Sequence, residues 1–422
     1  MIAKMAESPE RFVKNPGKDF TRDRKLPFGD VVQLLISMGG NSIYTELLEA
    51  YGFDVNTATT SAFVQQRAKI LPSAFEFLLN EFTESQPGLK NYRGYRLLAT
   101  DGSDLLIATN PSDHETFCQN NPGEKGYNLI HLNAMYDLCN RLYVDAIIQP
   151  NDSKNEGKAL ANMVDRSRSN DETIVMADRG YESYNNFAHI EKKGWYYLIR
   201  VKDLGSSGIL SGLTLPTDDE FDVTINRVLT RKQTNEIKAN PDIYRYLNKK
   251  TTFDFLNAEN AFYPITFRVV RFKISDVSYE TVITNLPQSD FPPQELKTLY
   301  NMRWGLESAF RELKYAVGLV NFHSKKREHI DQEVFARIIM YNFAEMITTH
   351  VVISQADTKY AYQVNFTVAI HVCKRFLRLV DNVPPIEVEA LIRKKTLPVR
   401  PDRAFVRNIC TKKYVSFIYR VA

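Results

Sequence analysis

The sequence lacks the cysteine pattern of a zinc-binding or redox protein. Its four cysteines are widely separated in 422 residues, and none belongs to a CxxC pair: Cys118, Cys139, Cys373 and Cys410. Structural zinc sites and thiol redox motifs use closely spaced cysteines, so the sequence excludes both classes. We therefore expect reduced cysteines that serve mainly as packing residues.

Long apolar runs are also missing. No run of about 18 apolar residues is available to span a bilayer, and the N-terminal segment has no apolar core of the kind found in a secretory signal. We expect a cytoplasmic protein with no membrane partner. The first thirty residues are polar and basic, so we expect them to be irregular.

The chain as a whole has only a small excess of basic over acidic residues, but its C-terminal part has a large one. The formal net charge is +4, from 54 basic and 50 acidic residues. From Leu391 onward, nine basic residues stand against Asp402 alone, which gives a local charge of +8. Such a segment is suited to phosphate contact, although an ordinary solvated basic end explains the charge equally well.

The apolar pattern changes period along the chain. Helical spacing extends from Phe28 to about Ser85, with Ser42 and Thr59 as helix N-caps. From Tyr92, three strands are followed by a helix, a strand, a helix and a strand. This order predicts an α/β fold with a ribonuclease-H-like mixed sheet.

A chain of this length is expected to form two or three domains. A β-rich stretch interrupts the α/β pattern before helices resume, so we interpret it as an insertion. We predict five segments: a helical DNA-binding domain (1–88), the first part of a catalytic domain (89–203), the β-rich insertion (204–290), the second part of the catalytic domain (291–355) and a helical, basic C-terminal segment (356–422).

Three carboxylates are candidates for one site. Asp101 lies in ATDGSD within a strand pattern, and Asp178 ends the strand IVMAD. Strand ends in open α/β sheets are places where ligand sites form. Glu307 lies on a later helix, and three carboxylates suffice for the two Mg²⁺ ions that phosphodiester chemistry can use.

The segment around Glu307 predicts one helix from Tyr300 to Gly318. On such a helix one face gathers Glu307 and four other polar side chains within about 80°: Tyr300, Arg303, Arg311 and Lys314. Gly305 weakens the helix by about 1 kcal/mol relative to Ala and is suited to bend it, and Gly318 is suited to end it. A solvated helix with i, i+4 ion pairs explains the same charges.

The fixed spacing within this segment carries a resemblance. Tyr300, Arg303, Glu307 and Lys314 match the Y-x2-R-x3-E-x6-K signature of the insertion-sequence-four family of DDE transposases. The segments ATDGSDL and ADRGYES resemble the first and second Asp motifs of that family. The resemblance covers about Thr59 to His350.

The resemblance implies a function. Asp101, Asp178 and Glu307 would bind two Mg²⁺ ions, or Mn²⁺. Tyr300, Arg303 and Lys314 would contact the transposon-end strand near a flipped base. The implied partners are double-stranded DNA, both inverted-repeat ends and target, and a second copy of the chain on that DNA. Cleavage would proceed through a hairpin, in a bacterial protein associated with the nucleoid.

One feature departs from the family. The family insertion contains an aromatic residue that stacks on the displaced base, yet the only two tryptophans here, Trp195 and Trp304, lie outside the insertion. Tyr279 is a candidate substitute, and an ordinary strand aromatic is its other interpretation.

Further DNA contacts are predicted from charge alone. The candidates are Arg200 at a strand end, Arg311, the basic turn at Lys325 and Lys326, and a predicted recognition helix with Gln66 and Arg67. Solvated surface charges explain each of them as well. Two other function classes remain open: a metal-dependent nuclease of the same fold without strand transfer, and a non-catalytic DNA-binding derivative.

Overall fold

The computed structural model describes residues 1–119, 121–276, 278–353, 360–378 and 386–399. Within these ranges, no helix combines the length and apolar character needed to cross a bilayer. Three cysteines are free thiols, at positions 118, 139 and 373. Cys410 and most of the basic tail lie outside the described residues, so the predictions for them are unchanged.

Five short helices precede the sheet: α1 (Ile2–Glu7), α2 (Phe28–Ser37), α3 (Ile43–Ala50), α4 (Thr60–Arg67) and α5 (Ser73–Glu84). The predicted caps are confirmed, because the Ser42 and Thr59 side chains accept hydrogen bonds from backbone N–H groups at the starts of α3 and α4. The expectation of an irregular N-terminus is wrong in part. Helix α1 and a following 3₁₀ turn bury Met5 and Phe12 in the core.

Ten strands form one sheet: β1 (Arg96–Ile107), β2 (Phe117–Cys118), β3 (Tyr127–Asp137), β4 (Leu142–Pro150), β5 (Thr173–Ala177), β6 (Tyr196–Arg200), β7 (Phe221–Thr230), β8 (Tyr244–Tyr246), β9 (Phe262–Ser275) and β10 (Ser278–Thr284). Strands β4, β3 and β1 are antiparallel neighbours, whereas β1, β5 and β6 are parallel. Two crossover helices make the parallel connections: α6 (Glu156–Arg166) and α7 (Tyr184–Lys192). The order β4-β3-β1-β5-β6 confirms the ribonuclease-H-like prediction.

The β-rich insertion continues this sheet. Strand β10 pairs antiparallel with β6, and β9, β7 and β8 follow outward in that order. A short helix, α8 (Asn235–Ala239), lies between β7 and β8. The insertion is therefore hydrogen-bonded to the last parallel strand through its own backbone.

The helices after the sheet are α9 (Pro293–Asn301), α10 (Trp304–Glu312), α11 (Arg327–Thr348), α12 (Phe366–Phe376) and α13 (Val388–Arg393), with a small hairpin of β11 (Tyr362–Val364) and β12 (Thr396–Pro398). The prediction of one helix from Tyr300 to Gly318 is wrong. The chain turns tightly at Met302 and Arg303, through i to i−3 hydrogen bonds, and leaves α10 through a π-helical turn. Gly318 ends that turn as predicted, at φ 97°.

Strand alternation divides the core between the two faces of the sheet. One face of β1 packs under the N-terminal helices, α11 and α12 in a single continuous cluster, and α9 covers the neighbouring part of the same face. The opposite face packs against α6, α7 and the inner side of the insertion. The N-terminal helices thus share a core with the sheet, while the domain boundaries given above remain a prediction.

A buried polar network joins α4 to α11. The Arg67 guanidinium is fully buried and donates to Glu333 at 2.9 Å, to Gln332 at 3.2 Å and to the His329 carbonyl at 2.9 Å. Gln66 is also buried, with 7 % exposure. The prediction that Gln66 and Arg67 contact DNA is therefore corrected, because the Arg67 charge is used inside the protein.

We expect His329 to make stability depend on pH. Burial, Arg67 and Lys326 lower the pKa of His329 to about 4, from 6.5. Because the unfolded chain takes up a proton more readily between these values, stability falls as pH drops from 6.5 to 4, by up to about 3 kcal/mol. Urea unfolding across this range should show a shallower pH dependence for His329→Gln. His114→Gln, at an exposed position, should keep the wild-type dependence, and equal slopes for all three proteins would refute the assignment.

Candidate active site

Backbone register brings the two aspartates together. Strands β1 and β5 are parallel, and Thr100 of β1 is the register partner of Ala177 of β5. The next residue on each chain is Asp101 and Asp178. Alternation places Asp101 on the face that also carries Ala99, and this is the face covered by α9 and α10. The two carboxylates therefore lie side by side at one sheet position.

Local hydrogen bonds fix both carboxylates. The Gly102 N–H donates to the Asp101 carboxylate at 2.8 Å, and the Gly180 N–H donates to Asp178 at 2.8 Å. The second bond caps a 3₁₀ turn that starts directly after β5. Each acidic side chain is thus held by the backbone that follows it.

Helix α10 adds the third carboxylate and a cation. Arg303 donates to Glu307 with Nη2 to Oε1 at 3.0 Å, and its Nη1 lies 3.7 Å from Asp101 Oδ2. The Arg303 side chain is 6 % exposed, whereas the two carboxylates are 28 % and 32 % exposed. A nearly buried guanidinium therefore links the strand carboxylate to the helix carboxylate.

The electrostatics of Asp101 reflect this crowding. Burial raises the pKa of Asp101 to about 6, and the negative charges of Asp178 and Glu307 add to the effect. The Gly102 N–H and Arg303 act in the opposite direction without cancelling it. A cation placed among these carboxylates would relieve the repulsion.

Tyr300 lies inside the site rather than on the predicted polar helix face. It is 2 % exposed at the end of α9, and burial raises its pKa to about 12. Its hydroxyl and the Arg303 Nε are buried without a hydrogen-bond partner among the described residues. Such groups are costly to leave unpaired, so both are suited to meet a polar ligand.

Of the other predicted DNA contacts, two lie beside the site and three are on the exposed surface. Lys314, in the π-helical turn, donates to the Asp104 carbonyl of β1 at 3.3 Å, which keeps it beside the site. Arg200 ends β6 next to the site and pairs with Glu280 at 3.0 Å. Arg311, Lys325 and Lys326 are exposed. Their predicted roles on DNA remain predictions.

Comparison with known proteins gives the family. A family model described as a transposase DDE domain matches residues 92–343, more than half of the chain. The chain belongs to the transposase DDE-domain family. The resemblance inferred from the motifs is confirmed, because the match includes both aspartates and the segment around Glu307.

Two proteins that are similar to this DDE-domain chain can be named. The transposase InsG of insertion sequence element IS4 from Escherichia coli K12 is 28 % identical over 131 residues, which is 28 % of this chain and 29 % of that protein. The matched region thus spans under a third of either protein. A piggyBac transposase structure, a synaptic complex with hairpin DNA, has 11 % identity and a TM-score of 0.39, covering 86 % of this chain and 72 % of that chain.

The metal-binding capacity of the DDE carboxylates rests on donor chemistry. Among the described residues, no three His, Cys, Asp or Glu side chains are already gathered as a metal shell. The guanidinium of Arg303 contacts two of the three carboxylates instead. Oxygen donors with mutual repulsion are nevertheless what a hard divalent cation requires, so Asp101, Asp178 and Glu307 fit the group by chemistry.

A neighbouring ionic network was not anticipated from the sequence. The His131 imidazole of β3 is 2 % exposed and lies between Asp104, at 2.6 Å, and Glu156, at 3.1 Å. Lys154 contacts both carboxylates. The available signal was Asp104 within ATDGSD itself, since its register partner on β3 is His131; that partnership becomes visible only once the strands are aligned.

Two glycines of the DDE motifs are required by this network. A Cβ atom on Gly102 would lie 2.2 Å from the His131 Nε2 and 2.9 Å from the Glu156 carboxylate. A Cβ atom on Gly180 would lie 2.9 Å from Glu156 and 3.0 Å from Asp178. Glu156 therefore packs against the backbone beside both Asp101 and Asp178.

Tyr279 of this DDE-domain chain is poorly suited to stack on a base. The Arg271 guanidinium covers its ring at 4.3 Å, and its hydroxyl donates to Asp219 at 3.2 Å. Both the ring face and the polar end are already in use, which supports the ordinary strand interpretation of Tyr279.

We expect Gly102→Ala to destabilise the protein. The added methyl group would push the buried His131 ring from its place between Asp104 and Glu156, and overpacking of this kind costs about 1–3 kcal/mol. Gly29→Ala is the matched control, because its Cβ would meet only ordinary contacts at 3.6 Å and beyond, within a helix. Urea unfolding should show a loss for Gly102→Ala and no loss for Gly29→Ala. Equal stability of the two variants would contradict the packing argument.

Proposed function

We propose that this chain is a cut-and-paste DNA transposase that cleaves DNA at transposon ends and joins them to target DNA. The observation that carries the proposal is the convergence of Asp101, Asp178 and Glu307 on one face of the sheet, within the matched family region. These three carboxylates would hold two divalent ions, Mg²⁺ or Mn²⁺. When bound, such ions activate the attacking oxygen and stabilise the leaving oxygen of a phosphodiester.

The surrounding side chains have matching roles. Arg303 carries a positive charge and an unpaired buried Nε, so it can donate to a non-bridging phosphate oxygen. The buried Tyr300 hydroxyl supplies a second donor, and Lys314 adds a point charge from the β1 side. Together they would orient the transposon-end strand over the carboxylates and keep its scissile phosphate in place.

One site would serve successive reactions. Hydrolysis at each transposon end frees a 3′-hydroxyl; attack of that hydroxyl on the opposite strand forms a hairpin, and hydrolysis of the hairpin precedes strand transfer. Each step breaks one phosphodiester bond and transfers its phosphorus to the incoming oxygen. Because both ends must be held together, we propose a dimer on DNA.

Replacing Asp178 tests the site. Asp178→Asn keeps the shape of the side chain but removes one charged ligand, so end cleavage should fall by about 100-fold or more. Asp276→Asn is the control, since Asp276 is fully exposed and pairs with Lys273 on the surface. The substrate is a labelled duplex carrying the inverted repeats that flank the coding region. Wild-type cleavage by Asp178→Asn would show that the site is assigned wrongly.

Metal removal tests the cofactor. EDTA should abolish cleavage, and added Mg²⁺ or Mn²⁺ should restore it. Calorimetric titration of Mn²⁺ should give a binding signal that Asp178→Asn weakens.

Strand transfer tests the reaction class. Pre-cut end DNA incubated with a supercoiled plasmid should yield joined products. Cleavage without joined products would indicate a nuclease, and DNA binding without cleavage would indicate a non-catalytic derivative.

A further inference from the structure

The distance between the two site aspartates is not fixed by strand pairing alone. Thr100 and Ala177 are the last register partners of the parallel β1–β5 ladder, and β5 ends at Ala177. Asp178 then begins a 3₁₀ turn, whereas Asp101 continues along β1. Metal ions shared by the two carboxylates would require their separation to be controlled to within about 0.5 Å. A further contact that spans the two chains would supply that control.

Glu156, the first residue of α6, spans the two chains at this point. A Cβ atom on Gly102 would lie 2.9 Å from its Oε1, and a Cβ atom on Gly180 would lie 2.9 Å from its Oε2. Each carboxylate oxygen thus faces one glycine. The N–H groups of the same two glycines donate to Asp101 and Asp178, at 2.8 Å each. Glu156 therefore packs against the backbone that holds both aspartates.

The Glu156 side chain is itself held in place. Its Oε1 lies 3.1 Å from the Nε2 of the buried His131 and 3.6 Å from the Lys154 Nζ. The start of α6 is fixed as well, because the Asn155 N–H donates to the Gln149 side chain of β4 at 3.0 Å. Both ends of the Glu156 side chain are thus anchored, so its carboxylate is suited to act as a spacer of constant position.

The charge of Glu156 also reaches the site. The Tyr181 hydroxyl is buried and has no hydrogen-bond partner within the described ranges. Burial raises the pKa of Tyr181, and the negative charges of Glu156, Asp101 and Asp178 raise it further. A variant of Glu156 that keeps the shape of the side chain and removes its charge would therefore separate the two contributions.

We propose that Glu156 is a positioning residue for the metal-binding aspartates, and that its packing between Gly102 and Gly180 sets the spacing of Asp101 and Asp178. The proposal rests on the proposed function, because it concerns the residues that would hold the metal ions. It assigns Glu156 no direct contact with metal or DNA. The two glycines belong to the same arrangement, since a side chain on either would displace the Glu156 carboxylate.

The test is calorimetric titration of the full chain with Mn²⁺, which requires neither DNA nor cleavage. Glu156→Ala should weaken Mn²⁺ binding by about 10- to 100-fold, as is typical when a residue that supports a metal ligand is removed. Glu156→Gln should bind Mn²⁺ nearly as well as the wild type, because it keeps the shape and can still accept a hydrogen bond from His131. Lys154→Ala, an exposed change that removes one cation beside Glu156, should weaken binding in the same direction and to a smaller extent.

Glu76→Ala is the matched control. Glu76 also lies in the first turn of a helix, is 32 % exposed against 28 % for Glu156, and pairs with Arg166 at 2.8 Å. Arg166 is the last residue of α6, so this ion pair lies about 15 Å from Glu156 along the helix axis. Glu76→Ala should keep the wild-type affinity for Mn²⁺. Thermal unfolding in EDTA shows whether each variant is folded.

The outcomes separate the two proposals. Wild-type Mn²⁺ affinity in Glu156→Ala, or in Lys154→Ala if Glu156→Ala does not fold, would overturn the positioning role even where Asp178→Asn has lost Mn²⁺ binding. Equal losses in Glu156→Gln and Glu156→Ala would also overturn it, because charge and not shape would then be responsible. The expected pattern supports positioning even if the wild-type chain cuts no end DNA. A wild-type chain that binds no Mn²⁺ would contradict the proposed metal site and the positioning role together.

Discussion

The parallel pairing of β1 with β5 is the constraint on which the candidate site depends. Two acids that are 77 positions apart in sequence become neighbours because Thr100 and Ala177 are register partners. A shift of the pairing by one residue would turn one carboxylate to the opposite face of the sheet. The register is protected by apolar side chains that alternate between two separate cores on β1 and β5. Core packing and site geometry are therefore specified by the same backbone hydrogen bonds.

Charge compensation is the second constraint. Burial raises the pKa of Asp101, and the negative charges of Asp178 and Glu307 raise it further. Arg303 offsets part of this repulsion from a nearly buried position that links β1 to α10. The tight turn between α9 and α10 makes the contact possible, because it lets Tyr300 and Arg303 face inward together. Both side chains are buried at this turn, whereas one straight solvated helix would leave them on its polar face.

Much of this organisation was predictable from the sequence, for reasons that can be identified. The order of strands and helices follows from apolar periodicity, and the three carboxylates follow from strand ends and fixed motif spacing. The predictions that failed concerned residues whose positions depend on contacts far apart in the sequence. Arg67 has an ordinary helix-surface pattern, and only its pairing with Glu333, 266 residues away, makes it a core residue. Gly305 indicated a bend in this helix, but no proline marks the break at Met302 itself. The cluster around His131 exists only through cross-strand register.

The continuation of the sheet into the insertion has a mechanical consequence. Strand β10 is hydrogen-bonded along β6, so the insertion cannot swing as a hinged lid without breaking a ladder of backbone hydrogen bonds. The β6 strand beside the candidate site and the insertion therefore belong to one continuous sheet and cannot move independently. Under the proposed function, a bound DNA strand would have to adapt to this surface. Distortion during the reaction would then fall on the DNA rather than on the ten-stranded sheet.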